Sequence, residues 1–205
     1  MRYKHYDSPF TNEGKAALIY LFLHINGKPS SEAVKDYYEV CKVLEISEAE
    51  RKSAEESVSH LNLDQFEDNT MIVVKKLSSY IGSGKRRYFE SDEVFEASEK
   101  AQMIWLLINL AYADGEYSWP EKKTIKYLAK YWKMSDIVVK SLEDSAVTLE
   151  KLYEQKAYLE DLNTVDKSVI LQQVSLVDQW IQSEVSHVEK TMDSAYLLNC
   201  IKEET

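Results

Sequence analysis

One short segment in the second half of the chain has the spacing of a calcium-binding turn. Asp114 is followed at once by Gly115 and, seven residues later, by Glu121, as in the second half of a helix–loop–helix calcium loop. A complete loop is excluded, because the ligand positions four and two residues before Asp114 hold Leu110 and Tyr112. Asp114, Glu121 and a backbone carbonyl therefore supply only part of an oxygen shell for a hard cation.

A purely structural interpretation accounts for the same residues. An Asx-Gly pair is well suited to terminate a helix. Ser118 and Glu121 have the spacing of a capping box for the next helix. An earlier turn, Asn26-Gly27, keeps the turn but lacks the acidic residues. This favours the structural interpretation at both turns, with the cation site as the alternative at the second.

Other residue groups carry weaker signals. Glu184 and His187 have the three-residue spacing of di-iron helical bundles, but the second such pair is missing. His24, in an apolar helix, is expected to be a satisfied core histidine. Cys41 is expected to be a buried, inert thiol, and no nucleophile motif is present. The sequence therefore predicts no enzymatic activity.

A short helix is crowded with lysines. Helical spacing gathers most of them near one face. In an acidic chain, a solvated face or a dock for an acidic helix is favoured over a nucleic-acid surface. The lysines are Lys122, Lys123, Lys126, Lys130 and Lys133.

The elements that carry these residues are predicted to be helices. The chain of 205 residues has five glycines and three prolines, too few for the frequent turns of a sheet-rich protein. Apolar periodicity and capping signals predict an all-α, multihelical fold. The predicted helices cover about 11–25, 64–80, 92–113 and 119–133, with a loop at 82–87. Further helices are predicted from Ser30, Ser47 and Ser135, with a helical pattern from 148 onward.

An internal repeat organises these helices. Residues 15–57 align without a gap onto 103–145, with ten of 43 positions identical. In each copy an apolar helix precedes the Asx-Gly turn, and a helix that is apolar nearly all round must be buried on every side. We therefore expect two central helices in a duplicated core over 1–146, with an acidic helical region, 147–205, packed on it.

The charge balance narrows the classes of partner. A formal net charge of −10 argues against nucleic-acid binding. No window is apolar enough for membrane insertion, and the first residues do not form a signal peptide. Two distant cysteines have neither metal nor redox spacing. A cytoplasmic protein is therefore expected.

The C-terminal region has an apolar stripe that admits two interpretations. It packs on the protein's own core, or it pairs with another chain, either an unknown protein partner or a second copy in a homodimer. The first is favoured. The stripe consists of Ile170, Val174, Val177, Ile181, Val185 and Val188.

The second turn also resembles a known family. Residues 111–118 (AYADGEYS), followed by Glu121 and Ile125, resemble the signature of the TerB-like family. This family includes tellurite-resistance-associated TerB proteins and the N-terminal domains of some DnaJ-like co-chaperones. The resemblance implies a compact helical domain with two buried central helices, no established enzymatic activity, and metal binding at Asp114, Glu116 and Glu121.

Two functions are therefore expected from the sequence. The first is a non-enzymatic TerB-like protein in a stress-related role that binds a divalent cation (Ca²⁺, Mg²⁺ or Mn²⁺) near Asp114-Gly115. The second is a metal-free protein-interaction adaptor that uses its acidic C-terminal helices. Asn26, Gly27, Gly115 and Ser118 shape the two turns in either case.

Overall fold

The computed structural model describes residues 10–59, 91–113, 117–162 and 167–200. The predicted helix at 64–80, the loop at 82–87, Asp114, Gly115 and Glu116 lie outside the described residues. The described part of the chain is all-helical, as predicted. Its helices are α1 (Asn12–Leu23), α2 (Ser31–Val43), α3 (Glu48–Ser59), α4 (Ser91–Ala113), α5 (Trp119–Tyr131), α6 (Asp136–Asp161), α7 (Lys167–Asp193) and α8 (Ala195–Cys200).

Helices α1 and α4 lie at the centre of the fold. Most of α1 is buried, including Leu18, Ile19 and Leu21, and α4 contributes Ile104 and Leu107 to the same core. The two helices contact each other, and α2 and α3 pack on α1 while α5 to α8 pack on α4. Two apolar helices at the centre agree with the expectation from the sequence.

The two central helices run in the same direction. Near their N-terminal halves, Lys15 Nζ lies 3.2 Å from Glu99 Oε1, and both side chains are largely buried. Beyond their C-terminal ends, Ser118 Oγ donates a hydrogen bond of 3.1 Å to Asn26 Oδ1. A parallel arrangement brings Asn26, in the first turn, and Ser118, at the start of α5, to the same end of the fold.

Helices α2 and α5 end in the same unusual way. Glu45 and Lys133 have positive φ angles of 56° and 55°, which few residues other than glycine adopt. At these ends, Ile46 N donates to the carbonyl of Cys41 over 2.9 Å, and Met134 N donates to the carbonyl of Ala129 over 2.8 Å. This bond from the residue after the left-handed position back into the last turn is typical of a Schellman motif.

Helices α6 and α7 form a long antiparallel hairpin. Val177 and Ile181 pack with Leu149 in a second, smaller core cluster, and Lys156 Nζ is 2.7 Å from Asp178 Oδ1. The apolar stripe of α7 therefore packs largely on α6 of the same chain. Helix α6 is continuous across the expected division between 146 and 147.

Across 10–59, 91–113, 117–162 and 167–200, no helix combines the length and hydrophobicity needed to cross a membrane.

Candidate functional site

The first turn depends on a glycine for its backbone conformation. Gly27 has a φ of +102°, and an added Cβ would meet no atom within 4 Å. Its N–H donates to the carbonyl of His24 over 3.1 Å. Gly27 is therefore required by the positive φ and not by a close neighbour.

The contact between the two turns was not expected from the sequence. Ser118 was predicted to cap α5 and Asn26 to form the first turn, but the hydrogen bond from Ser118 Oγ to Asn26 Oδ1 joins residues 92 positions apart. Asn26 is exposed and Ser118 half-buried. The start of α5 is thereby attached directly to the end of α1.

Glu121 forms the predicted capping box at the start of α5. Its Oε2 accepts a hydrogen bond of 2.7 Å from the backbone N–H of Ser118, and Pro120 lies in the first turn. The side chain is only 3% exposed. The partial positive charge at a helix N-terminus stabilises a carboxylate in this place.

Tyr117 connects the second turn to α6. Its ring is buried, at 6% exposure, and its hydroxyl donates a 2.8 Å hydrogen bond to Glu143 Oε1. Burial raises the pKa of the Tyr117 hydroxyl well above its usual range, and the neighbouring carboxylate of Glu143 raises it further. Tyr117 is therefore a neutral donor at physiological pH.

Glu143 belongs to this site but is not predicted by the sequence. The repeat aligns Glu143 with Glu55, but the position equivalent to Tyr117 in the first copy is Pro29, which has no hydroxyl to donate. The pairing could therefore not be inferred from the first copy.

Tyr112 and Tyr117, which precede and follow residues 114–116 in the sequence, have charged neighbours. Burial raises the pKa of Tyr112, and the carboxylates of Glu150 and Glu143 raise it further. Lys122 Nζ lies 4.9 Å from the centre of the Tyr117 ring. The acidic groups of α6 thus approach the tyrosines next to residues 114–116.

Of the predicted cation ligands, the structure places Glu121 alone, since Asp114 and Glu116 lie outside the described residues. Among residues that the structure describes, no group of three or more His, Cys, Asp or Glu side chains is arranged to hold a metal ion. A cation site at this turn would therefore depend on Asp114 and Glu116 in addition to Glu121.

The contacts and burial of His24 and Cys41 give each of these candidate residues a structural role. His24 Nδ1 donates to the carbonyl of Tyr20 over 2.8 Å, so the prediction that its ring is satisfied is confirmed. The side chain is half-buried, so its predicted place in the core is not. Cys41 is buried, and burial raises the pKa of its thiol, which agrees with an inert cysteine.

A shallow groove of about 520 Å³ lies between α6 and α7, lined among others by Ser141, Glu184 and His187. Ser141 Oγ and His187 Nε2 are 3.2 Å apart, within reach of a nucleophile and its base. Ser141 lies inside a helix, where backbone N–H groups are bonded to the preceding turn and cannot form an oxyanion hole. The pair therefore lacks this requirement for acyl transfer.

Comparison with protein-family models, with curated proteins and with solved structures finds no match for this chain.

Proposed function

We propose that this chain is a non-enzymatic TerB-like protein that binds one divalent cation beside the second turn, in a stress-related role. The observation that carries the proposal is the buried carboxylate of Glu121, at 3% exposure, five residues beyond the segment 114–116. A buried carboxylate is costly unless donors or an opposite charge compensate it. The capping bond from Ser118 N and the N-terminus of α5 already supply part of this compensation, and a cation held by Asp114, Glu116 and Glu121 would add to it.

The chemistry of the donors selects the class of cation. All three side chains offer carboxylate oxygens, which suit Ca²⁺, Mg²⁺ and Mn²⁺ better than a thiophilic metal. Around them, Ser118 fixes the start of α5 against Asn26, and Tyr117 fixes the turn against Glu143. These contacts would hold the ligands in place and reduce the ordering cost of binding.

We further propose that the core arose by duplication of one unit. Ser30 and Ser118 both precede a helix as its N-cap, and Glu45 and Lys133 have nearly equal positive φ angles. Each pair is 88 positions apart, which is also the offset of the sequence alignment. Because the first copy has Asn26-Gly27-Lys28 at its turn, the proposal assigns the cation to the second copy alone.

The test is calorimetric titration of the full chain with Ca²⁺, Mg²⁺, Mn²⁺ and Zn²⁺. Asp114→Asn converts the second turn to the Asn-Gly pair of the first and so keeps the turn while removing the charge. Glu121→Gln keeps an oxygen acceptor for the capping bond. We expect one binding event for Ca²⁺, Mg²⁺ or Mn²⁺ in the wild type and about tenfold weaker binding in either variant, because affinity follows the ligand charge.

A matched control is Asp144→Asn, which removes an exposed carboxylate from α6 and should leave the affinity unchanged. The metal-free Asp114→Asn variant should unfold at the wild-type temperature. Equal heats in wild type and Asp114→Asn, or no heat with any of the three hard cations, would remove the cation from the proposal.

A second candidate is the metal-free adaptor that uses the C-terminal helices. It is favoured by exposed apolar side chains on one face of α7, at steps of seven and four residues: Val169, Leu176 and Trp180 are 44%, 43% and 52% exposed. This alternative predicts no heat of binding when the chain is titrated with any of the four cations. With a second copy as the partner, it also predicts concentration-dependent sedimentation that Trp180→Ser weakens.

A further inference from the structure

Helix α5 and the residues after it carry a basic face, defined here as five lysines. Four of their side chains are exposed, and that of Lys123 is half-buried. At one end, Trp119 is 65% exposed, and Lys123 Nζ lies 4.7 Å from the centre of its ring. The basic face consists of Lys122, Lys123, Lys126, Lys130 and Lys133.

Four of these five charges have no ion pair with another described residue. In the described part of the molecule, no carboxylate lies within 4.0 Å of the ammonium groups of Lys122, Lys126, Lys130 and Lys133. Like charges three or four residues apart on a helix repel one another. Negative charges placed along the basic face would reduce this repulsion.

The first repeat shows that this surface is not required by the fold. At the offset of 88 positions, three of the five lysines are replaced by Val34, Tyr38 and Glu45. The other two correspond to Lys35 and Lys42, and Lys42 Nζ is 2.7 Å from Glu39 Oε1 on its own helix. Helices α2 and α5 end with the same geometry, yet only α5 carries a continuous lysine stripe.

We propose that the basic face of α5 docks an acidic α-helix of a partner protein. From Lys122 to Lys130, the part of the stripe that lies within α5 is about 12 Å long at a rise of about 1.5 Å per residue. A helix with acidic residues at every third or fourth position presents carboxylates in a row with the same repeat. The exposed indole of Trp119 adds an apolar contact at one end.

The distribution of charge over the chain favours a short acidic helix as the partner over a long polyanion such as a nucleic acid. The whole chain has a formal charge of −10 and the five lysines contribute +5, so the rest of the chain carries −15. A nucleic acid or an anionic membrane extends well beyond this stripe, and the acidic remainder of the chain would repel it. An acidic helix can be confined to the stripe. The inference does not depend on the cation site.

The test is fluorescence anisotropy with a labelled synthetic peptide of about 18 residues, rich in alanine so that it is helical, with glutamates at every fourth position. A second peptide has the same composition with its glutamates scattered. For the wild type, we expect saturable binding of the first peptide, weakened by added salt, and weaker binding of the second.

Two double variants form a matched pair. Lys126→Gln with Lys130→Gln should weaken binding of the first peptide by about tenfold, and the corresponding arginine variants should retain it. Lys35→Gln with Lys42→Gln removes the same charge from α2 and should change the affinity by less than about twofold. Circular dichroism checks that every variant is folded.

Several outcomes would overturn the proposal. They are no binding of the first peptide at low salt, equal binding of both peptides, and equal losses in the two glutamine variants. Tighter binding of a single-stranded oligonucleotide or of phosphatidylserine vesicles would assign the face to another partner class. Self-association of the wild type that the Lys126 and Lys130 substitutions abolish would assign it to a second copy.

Discussion

Two buried tyrosines differ in what their hydroxyl groups contact. Tyr117 donates to Glu143 Oε1 over 2.8 Å. The hydroxyl of Tyr37, whose side chain is fully buried, has no oxygen or nitrogen partner in the described part of the chain, and only the weakly accepting thiol of Cys41 lies near it. A buried hydroxyl that is paired contributes to stability, whereas one that is unpaired carries a desolvation penalty. The same substitution should therefore have opposite effects at the two positions.

We predict that Tyr117→Phe lowers the free energy of unfolding by about 1 kcal/mol, because it removes the bond to Glu143. Tyr37→Phe should leave the free energy unchanged or raise it by up to about 1 kcal/mol. Urea unfolding at pH 7 measures both values. Equal losses in the two variants would contradict the assigned hydrogen bonding.

Alkaline pH provides an independent control. Burial raises the pKa of both hydroxyls, whereas an unfolded tyrosine ionises near pH 10. Above that pH the unfolded state loses protons that the folded state retains, so stability falls as pH rises. Tyr37→Phe and Tyr117→Phe should each reduce the fall in the free energy of unfolding above about pH 10, although the two substitutions have different effects on it at pH 7.

At the scale of single elements, the ends of α2 and α5 carry the same backbone strain. Glu45 and Lys133 adopt positive φ within one degree of each other. For a residue with a side chain, the left-handed region costs about 1–2 kcal/mol relative to the right-handed one. Glycine avoids this cost but loses more chain entropy on folding. A net gain is expected when glycine replaces either residue.

We predict that Glu45→Gly and Lys133→Gly each raise the free energy of unfolding by about 0.5–1 kcal/mol, by similar amounts at the two positions. As controls inside the same helices, Glu39→Gly and Lys126→Gly should lower it by about 1 kcal/mol. Thermal and urea unfolding show whether each substitution raises or lowers the free energy of unfolding. A loss of stability at either Glu45 or Lys133 would contradict the shared geometry.

For the whole molecule, the features that can be predicted from the sequence are those whose determinants are local. The start of α5 follows from Ser118, Pro120 and Glu121, which lie within four residues of one another. The contacts that assemble the candidate site are not local. Ser118 meets Asn26 because the central helices are parallel, and Tyr117 meets Glu143 because α6 packs on α4. No periodicity in the sequence encodes that juxtaposition.

The C-terminal helices belong to the main core as well as to the hairpin. Val188 and Ala195 are buried in the cluster that contains α1 and α4, with Met192 and Tyr196 packed against it. In addition, Asn199 Oδ1 accepts a 2.7 Å hydrogen bond from Ser135 N, next to the start of α6. The end of the chain therefore helps to complete the core and to cap a helix from the second repeat.

We predict that the full chain unfolds in one cooperative transition, with equal calorimetric and van't Hoff enthalpies, because one core joins both repeats to the C-terminal helices. A chain that ends at Leu162 should lose the cooperative transition and bind a hydrophobic dye, since it leaves the core sites of Val188 and Ala195 exposed. Asn199→Ala, which removes only the bond to Ser135, should lower the free energy of unfolding by about 1 kcal/mol and keep one transition. Two separate transitions in the full chain, or wild-type cooperativity in the shortened chain, would show instead that the C-terminal helices are an independent unit.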